Sequence, residues 1–209
     1  MEDRLDAGLW LEMTDVPSDE YEAKRVPEVL ALPGVERGGC WENAHPNRTD
    51  LPRKVPEFSL LGLYEVDDSF VAPEGVAGHH FRRHPRPPQG TLSPNPTLGI
   101  LVVLISPRQA DQAQALRDWA DFTHIREIAA TANPGSTMVS VYENATGGDP
   151  RFLHLYEMDT PDPEACFFAV PDLVAKRLGG GMGTPAWDAW ANHPALRIMY
   201  VNTFRRVGA

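Results

Sequence analysis

The hydrophobic pattern of the chain switches between a strand period and a helix period in a fixed order. Leu98 to Ile105 is a continuous apolar run rich in β-branched residues, the pattern of a strand covered on both faces. Pro107 then opens a stretch in which Ala115, Leu116, Trp119, Phe122 and Ile125 follow the i, i+3, i+4 spacing of a helix. Asn133-Pro134-Gly135 ends it, because the residue before a proline is biased away from helix and a glycine suits the turn that follows. Met138 to Asn144 and Phe152 to Met158 read as partner strands around the turn Thr146-Gly147-Gly148-Asp149-Pro150. Residues 162–178 and 185–195 read as helical, the second with Thr184 as cap and Pro185 at its first position. Ile198 to Val207 closes the series as a strand, giving β-α-β-β-α-β. The first half follows the same order, with a strand at Leu9 to Met13, a helix from Ser18 to Leu30, and strands near Cys40 and at Leu60 to Val66.

The parallel extends to residue identities. Pro33-Gly34 followed by Trp41-Glu42-Asn43 recurs as Pro134-Gly135 followed by Tyr142-Glu143-Asn144, at the same internal spacing. Leu63-Tyr64-Glu65 recurs as Leu155-Tyr156-Glu157, and Phe81-Arg82-Arg83 as Phe204-Arg205-Arg206. Arg25-Val26-Pro27-Glu28-Val29 aligns with His124-Ile125-Arg126-Glu127-Ile128. Four matches in one order imply a tandem duplication. Phe81 follows Glu65 by 16 residues, whereas Phe204 follows Glu157 by 47, so the first repeat has no room for a second helix. The expected division is a truncated unit over 7–90, a Pro-rich linker over 91–97 and a complete unit over 98–208.

Composition narrows the function. In 209 residues, 19 Lys and Arg face 29 Asp and Glu, a net charge of −10. That balance argues against nucleic acid and against anionic membrane surfaces, both of which reward positive charge. No apolar run approaches the roughly 20 residues of a membrane span. The residues Met1 to Asp6 show neither a basic nor an apolar region of a signal peptide, and the two cysteines, Cys40 and Cys166, make no disulfide framework. A cytoplasmic setting is expected.

The stretch Arg25-Val26-Pro27-Glu28-Val29-Leu30-Ala31-Leu32-Pro33-Gly34-Val35, with the Leu-Tyr-Glu and Phe-Arg-Arg strands, resembles EthD-like proteins of the dimeric α+β barrel superfamily. The resemblance covers most of the chain through short motifs. It implies an α+β fold of two ferredoxin-like β-α-β-β-α-β units, the first lacking its second helix, whose sheets close a barrel around a small cavity. Two chains usually make that barrel in the family, whereas a tandem chain can make it alone. The family commonly has a histidine where the first repeat has Arg25, and the second repeat keeps it as His124.

Strand alternation gives the candidate site. One face of each sheet should be aliphatic and pack on helices. The aromatic and polar faces, with Trp10 and Glu12, Ser140 and Tyr142, His154 and Tyr156, and Tyr200 and Asn202, are then expected to line the cavity. His124 and His154 are the candidate catalytic residues, because an imidazole exchanges protons near neutrality. Trp10, Glu12, Tyr142, Tyr156 and Asn202 are the candidate substrate-binding residues. The cluster of His79, His80 and His84 with Arg82, Arg83 and Arg86 reads as a solvated loop and strand end, and no metal site is expected there. Gly179-Gly180-Gly181-Met182-Gly183 lacks the spacing of a phosphate loop and reads as a flexible break, or a gate over a cavity.

The leading expectation is a cofactor-independent enzyme of lyase, dehydratase, cyclase or isomerase type, acting by acid–base chemistry on a small hydrophobic, aromatic or polyketide-like molecule. The alternatives are a haem-using or oxygen-using barrel oxidoreductase, with a histidine as axial ligand if haem is bound, and a non-catalytic small-molecule-binding module. The chain is expected as a monomer, or as a homodimer through an outer surface.

Overall fold

Both halves of the chain lay out their strands in the order fourth, first, third, second. A computed structural model describes residues 7–208. The strands are β1 (Gly8–Thr14), β2 (Val35–Asn43), β3 (Leu60–Val66), β4 (Gly78–Arg83), β5 (Gln89–Gly90), β6 (Gly99–Pro107), β7 (Ser136–Asn144), β8 (Phe152–Met158) and β9 (Leu196–Arg206). The helices are α1 over 18–30, α2 over 110–129, α3 (Pro163–Leu178) and α4 (Pro185–Ala191). The sheet runs β4-β1-β3-β2-β9-β6-β8-β7, and β4 also pairs with β7, so eight antiparallel strands close into a ring. The repeats join at β2–β9, where Trp41 faces Arg206, and at β4–β7, where Phe81 faces Asn144. The two-residue strand β5 adds to β7 outside the ring.

The fold is therefore the expected pair of ferredoxin-like units, and β3 connects to β4 with no helix between them. One boundary differs. Pro107 ends β6, paired with Leu196, and α2 begins only at Ala110. The ladder to β9 holds the backbone extended for longer than the apolar run does.

The ring interior is solid. Leu9, Leu11, Leu61 and Leu63 of the first repeat meet Val102, Leu104, Leu153 and Leu155 of the second, with Phe81, Phe204, Tyr142 and Tyr200 among them. An eight-stranded barrel is just wide enough for side chains to fill it, and each such leucine stabilises the fold by about 1.5–3 kcal/mol. The opposite strand faces look outward onto the helices. Around α1 lie Trp10, Tyr21, Cys40 and Tyr64. Around α2, α3 and α4 lie Leu101, Val141, Tyr156, Trp190 and Val201.

This reverses the expected assignment of faces on β1 and β8, whereas on β7 and β9 Tyr142 and Tyr200 face the interior as expected. The aliphatic faces fill the barrel, and the Trp10/Glu12 and His154/Tyr156 faces turn toward helices. Among the described residues no helix is long and apolar enough to cross a membrane.

Candidate functional site

A cavity of about 220 Å³ lies between the outer face of the second repeat's sheet and its helices. Leu101, Val103 and Ile105 of β6 and His154, Tyr156 and Met158 of β8 form its floor. Trp119, His124 and Ile128 of α2, with Cys166, Phe167 and Val170 of α3, form its walls, and α4 adds Trp190 and Ala191. The lining is almost wholly apolar, with a few polar groups, as ligand sites usually are.

Both candidate histidines border this cavity. His124 is the penultimate residue of a π-helical turn, Ala120–Ile125, inside α2, a local widening that often marks functional positions. Arg25 ends the matching π turn of α1, Tyr21–Arg25, so the alignment of these two residues holds in space. The His124 ring stacks on Trp190 at 5.1 Å and lies beside Trp119 at 5.0 Å. Its Nδ1 is 3.0 Å from the Trp190 carbonyl, and the indole of Trp190 donates back to the His124 carbonyl at 3.1 Å. A carbonyl only accepts, so Nδ1 carries the proton and Nε2 of the neutral ring is a free base. Burial lowers the pKa of His124, and the bond to the Trp190 carbonyl partly opposes this.

His154 is 5 % exposed, and its ring has no hydrogen-bond partner among the described residues. Burial, with repulsion from a charge on His124, pushes its pKa down to about 3. Tyr156 also borders the cavity, and burial raises its pKa. The site thus presents two neutral imidazoles and one neutral phenol to an apolar space. The arrangement can accept a proton from a bound molecule without first losing one of its own.

The other candidates lie elsewhere. Tyr142 faces the barrel interior. Trp10 and Glu12 face α1 in the first repeat, where Trp10 packs on Tyr21 and Phe70. Asn202 is buried as an anchor, with Oδ1 accepting from Arg48 at 3.1 Å and Nδ2 donating to Asn43 at 2.7 Å. Residues 179–183 do not line the cavity.

Sequence reasoning missed two supports. The segment between β2 and β3 of the first repeat crosses to the second, where Leu51 and Pro52 complete the cavity wall. Arg48, its side chain fully buried, pairs with Asp50 of the same strap at 2.9 Å and fastens it to Glu164 of α3 at 3.0 Å. The Arg53 guanidinium lies 4.8 Å above the Tyr200 ring, and the Lys54 amide donates to Met199 at 2.7 Å. Arg86, read as part of a solvated basic loop, bonds Asp121 at 2.6 Å and also pairs with Asp118. Gln89 donates to the Asp121 carbonyl at 2.8 Å, so this segment braces the turn that carries His124. A run of arginines spaced against distant carboxylates leaves no local signal.

No family model matches the chain, and no curated protein does. Solved structures share its fold. An anthrone oxidase-like protein is 15 % identical, with 97 % of this chain and 92 % of that one covered and a TM-score of 0.52. A candidate monooxygenase of Fusobacterium nucleatum subsp. nucleatum is 7 % identical, with coverage of 96 % and 94 % and a TM-score of 0.44. A candidate monooxygenase of Lactobacillus acidophilus NCFM is 12 % identical, with coverage of 95 % and 93 % and a TM-score of 0.42. The likeness is one of fold.

A haem does not suit this site. An apolar cavity of roughly 150 Å³ takes a benzene, so 220 Å³ suits two or three fused rings and falls short of a porphyrin. Among the described residues no cluster of three or more His, Cys, Asp or Glu side chains could hold a metal ion. Cys166 borders the cavity with its thiol pKa raised by burial to about 11, which keeps it a poor nucleophile.

Proposed function

We propose that the chain is an EthD-like α+β-barrel oxidoreductase that uses O₂ on a small fused-ring aromatic with an acidic C–H or phenolic O–H. The observation that carries this reading is the pair of neutral histidines at one apolar cavity, one of them with its free nitrogen fixed as a base. The fold neighbour described as anthrone oxidase-like supplies the substrate class. An anthrone has a methylene flanked by two aromatic rings, and its anion is electron-rich enough to react with O₂ directly. His124 Nε2 takes the methylene proton, His154 and Tyr156 lie against the resulting anion, and the apolar lining disfavours water. In the overall change the methylene becomes a carbonyl. One oxygen atom of O₂ enters the product, and the other leaves as water with the two methylene hydrogens. Because one chain closes the barrel, no second copy is needed for the site, and a homodimer would use an outer surface.

The test is oxygen uptake by the pure, chelator-treated protein with anthrone in excess. Uptake above the buffer rate, with one O₂ consumed per anthraquinone formed, is the expected result. Absence of uptake, or uptake that disappears with chelator treatment, overturns the reading.

A further inference from the structure

The cavity has a second polar end. Asn133 and Ser136 border it, and Ser136 pairs with Met158 across β7 and β8. His154 lies four residues earlier on β8, so about 13 Å of strand separates the two levels. Asn133 is 6 % exposed, and its amide orientation is fixed. Its Nδ2 donates to the Cys166 carbonyl at 2.8 Å and contacts Cys166 Sγ at 3.3 Å. A carbonyl cannot donate, so the nitrogen stays on that side and Oδ1 turns away from it. Neither this oxygen nor the Ser136 hydroxyl has a hydrogen-bond partner among the described residues.

The first repeat shows that the turn itself does not need these groups. Leu32-Pro33-Gly34-Val35 aligns with Asn133-Pro134-Gly135-Ser136. The two turns share their backbone. Gly34 and Gly135 have φ of 80° and 85°, and their carbonyls accept from Asp67 at 2.8 Å and Asp159 at 3.0 Å. Leu32 and Val35 pack on the core around Trp10 and Tyr64. Polar side chains stand at these two positions only in the repeat that holds the cavity.

We infer that Asn133 and Ser136 form a hydroxyl-binding subsite, and that the ligand is a flat ring system with a hydroxyl on the edge opposite the histidines. This rests on the reading of the cavity as the substrate site. Asn133 Oδ1 accepts and cannot donate, so it selects an O–H over a ketone or a methoxy group in the same place.

The experiment is calorimetric binding of 2-naphthol and 2,6-dihydroxynaphthalene to the full chain. One hydroxyl can bond His124, so the affinity gained from the second reports the distal subsite. The expected gain is about tenfold in the unmodified protein, the usual worth of a buried hydrogen bond. It should vanish in Asn133→Leu, shrink in Ser136→Val and persist in His124→Phe. Ser136→Val leaves the Cys166 carbonyl bonded and serves if Asn133→Leu does not fold. A gain that survives both distal variants, one lost only in His124→Phe, no gain at all, or no binding of either ligand overturns the proposal. A gain that behaves as expected in a protein that takes up no O₂ overturns the proposed reaction and leaves the subsite standing.

Discussion

The two repeats place the same secondary structure around opposite contents. In the second, His124, His154, Leu101 and Val103 border an open cavity. The corresponding residues of the first are Arg25, Gly62, Trp10 and Glu12, and they fill the space. Strand register makes the match, since Trp10 pairs with Tyr64 as Leu101 pairs with Tyr156. Arg25 bonds Glu12 through Nε at 2.9 Å and Nη2 at 2.6 Å, and Tyr21 and Trp10 each donate to the same carboxylate at 2.8 Å. Burial pushes the Glu12 pKa up, but these donors outweigh it and the group stays ionised. In the sealed repeat the central polar group is satisfied, whereas in the open repeat polar groups are left without partners. Unpaired buried groups cost stability and are retained where a ligand can pair with them. The sealed repeat also serves the open one, because its strap supplies Leu51 and Pro52.

The sharpest way to break this comparison is to truncate the matched helix residues. His124→Ala should lower kcat/KM by about 10²–10⁴ in folded protein, the range for a positioned proton-transfer group. It should also lower the thermal midpoint, because the ring stacks on Trp190 and bonds its carbonyl. Arg25→Ala should cost stability alone. It leaves the Glu12 carboxylate buried without its cation, at a cost of about 3 kcal/mol, while activity per folded molecule holds. Melting curves and initial rates on both variants measure the contrast. If Arg25→Ala abolishes turnover in folded protein, the first repeat has a chemical role that its filled interior does not suggest.

Acid should separate His154 from Glu12 next, against a background slope from the other histidines whose pKa burial lowers, His79, His80, His84 and His124. Burial holds the His154 pKa at about 3 in the folded chain, against an ordinary histidine value of about 6.5. Between those values the unfolded chain binds more protons, so stability falls as pH drops through that window, by at most about 1.4 kcal/mol per pH unit for this group. Glu12 acts lower. Its folded pKa is below the ordinary glutamate value, so its contribution is present above that value and is lost as pH falls through the folded one. Denaturant unfolding from pH 7 to pH 4 should therefore show a slope that His154→Leu flattens and Glu12→Gln does not. A slope unchanged in His154→Leu would mean that the ring is not buried neutral.

Much of this was legible in the sequence, and one inference failed for a definite reason. The repeat matches fixed the strand order and the missing helix, because a duplicated chain carries its own alignment. The same alignment put His124 opposite Arg25, and it already contained Leu32 against Asn133 and Val35 against Ser136, polar for apolar at matched turns. Alternation correctly separated Trp10 and Glu12 from Leu9 and Leu11. It could not say which face looked into the barrel, because both faces are buried and period two carries no sense of inside. The narrow ring takes the leucines of β1, β3 and β8 together with the rings of Phe81, Tyr142, Tyr200 and Phe204, and the Trp10/Glu12 and His154/Tyr156 faces are left to the space under the helices. The strap was illegible for another reason, since Arg48 and Glu164 meet across the two repeats.

The smallest expected effects lie on the matched strand position, and they carry opposite signs. Gly62 occupies the place of His154, and a Cβ there would lie 2.0 Å from the Tyr21 hydroxyl. That hydroxyl is held by Glu12 at 2.8 Å and Tyr64 at 3.1 Å, so it cannot move aside without losing a bond. Gly62→Ala should thus destabilise by about 1–3 kcal/mol, as overpacking does. His154→Leu should stabilise the protein by about 1 kcal/mol at neutral pH, because an apolar side chain replaces a buried group with no partner. It should also reduce turnover, since the anion loses one neighbour that can hydrogen-bond it. Chemical unfolding of the two variants side by side gives the signs. A destabilised His154→Leu would show that the imidazole is held by a partner such as bound water, and the cavity would then be polar at its floor.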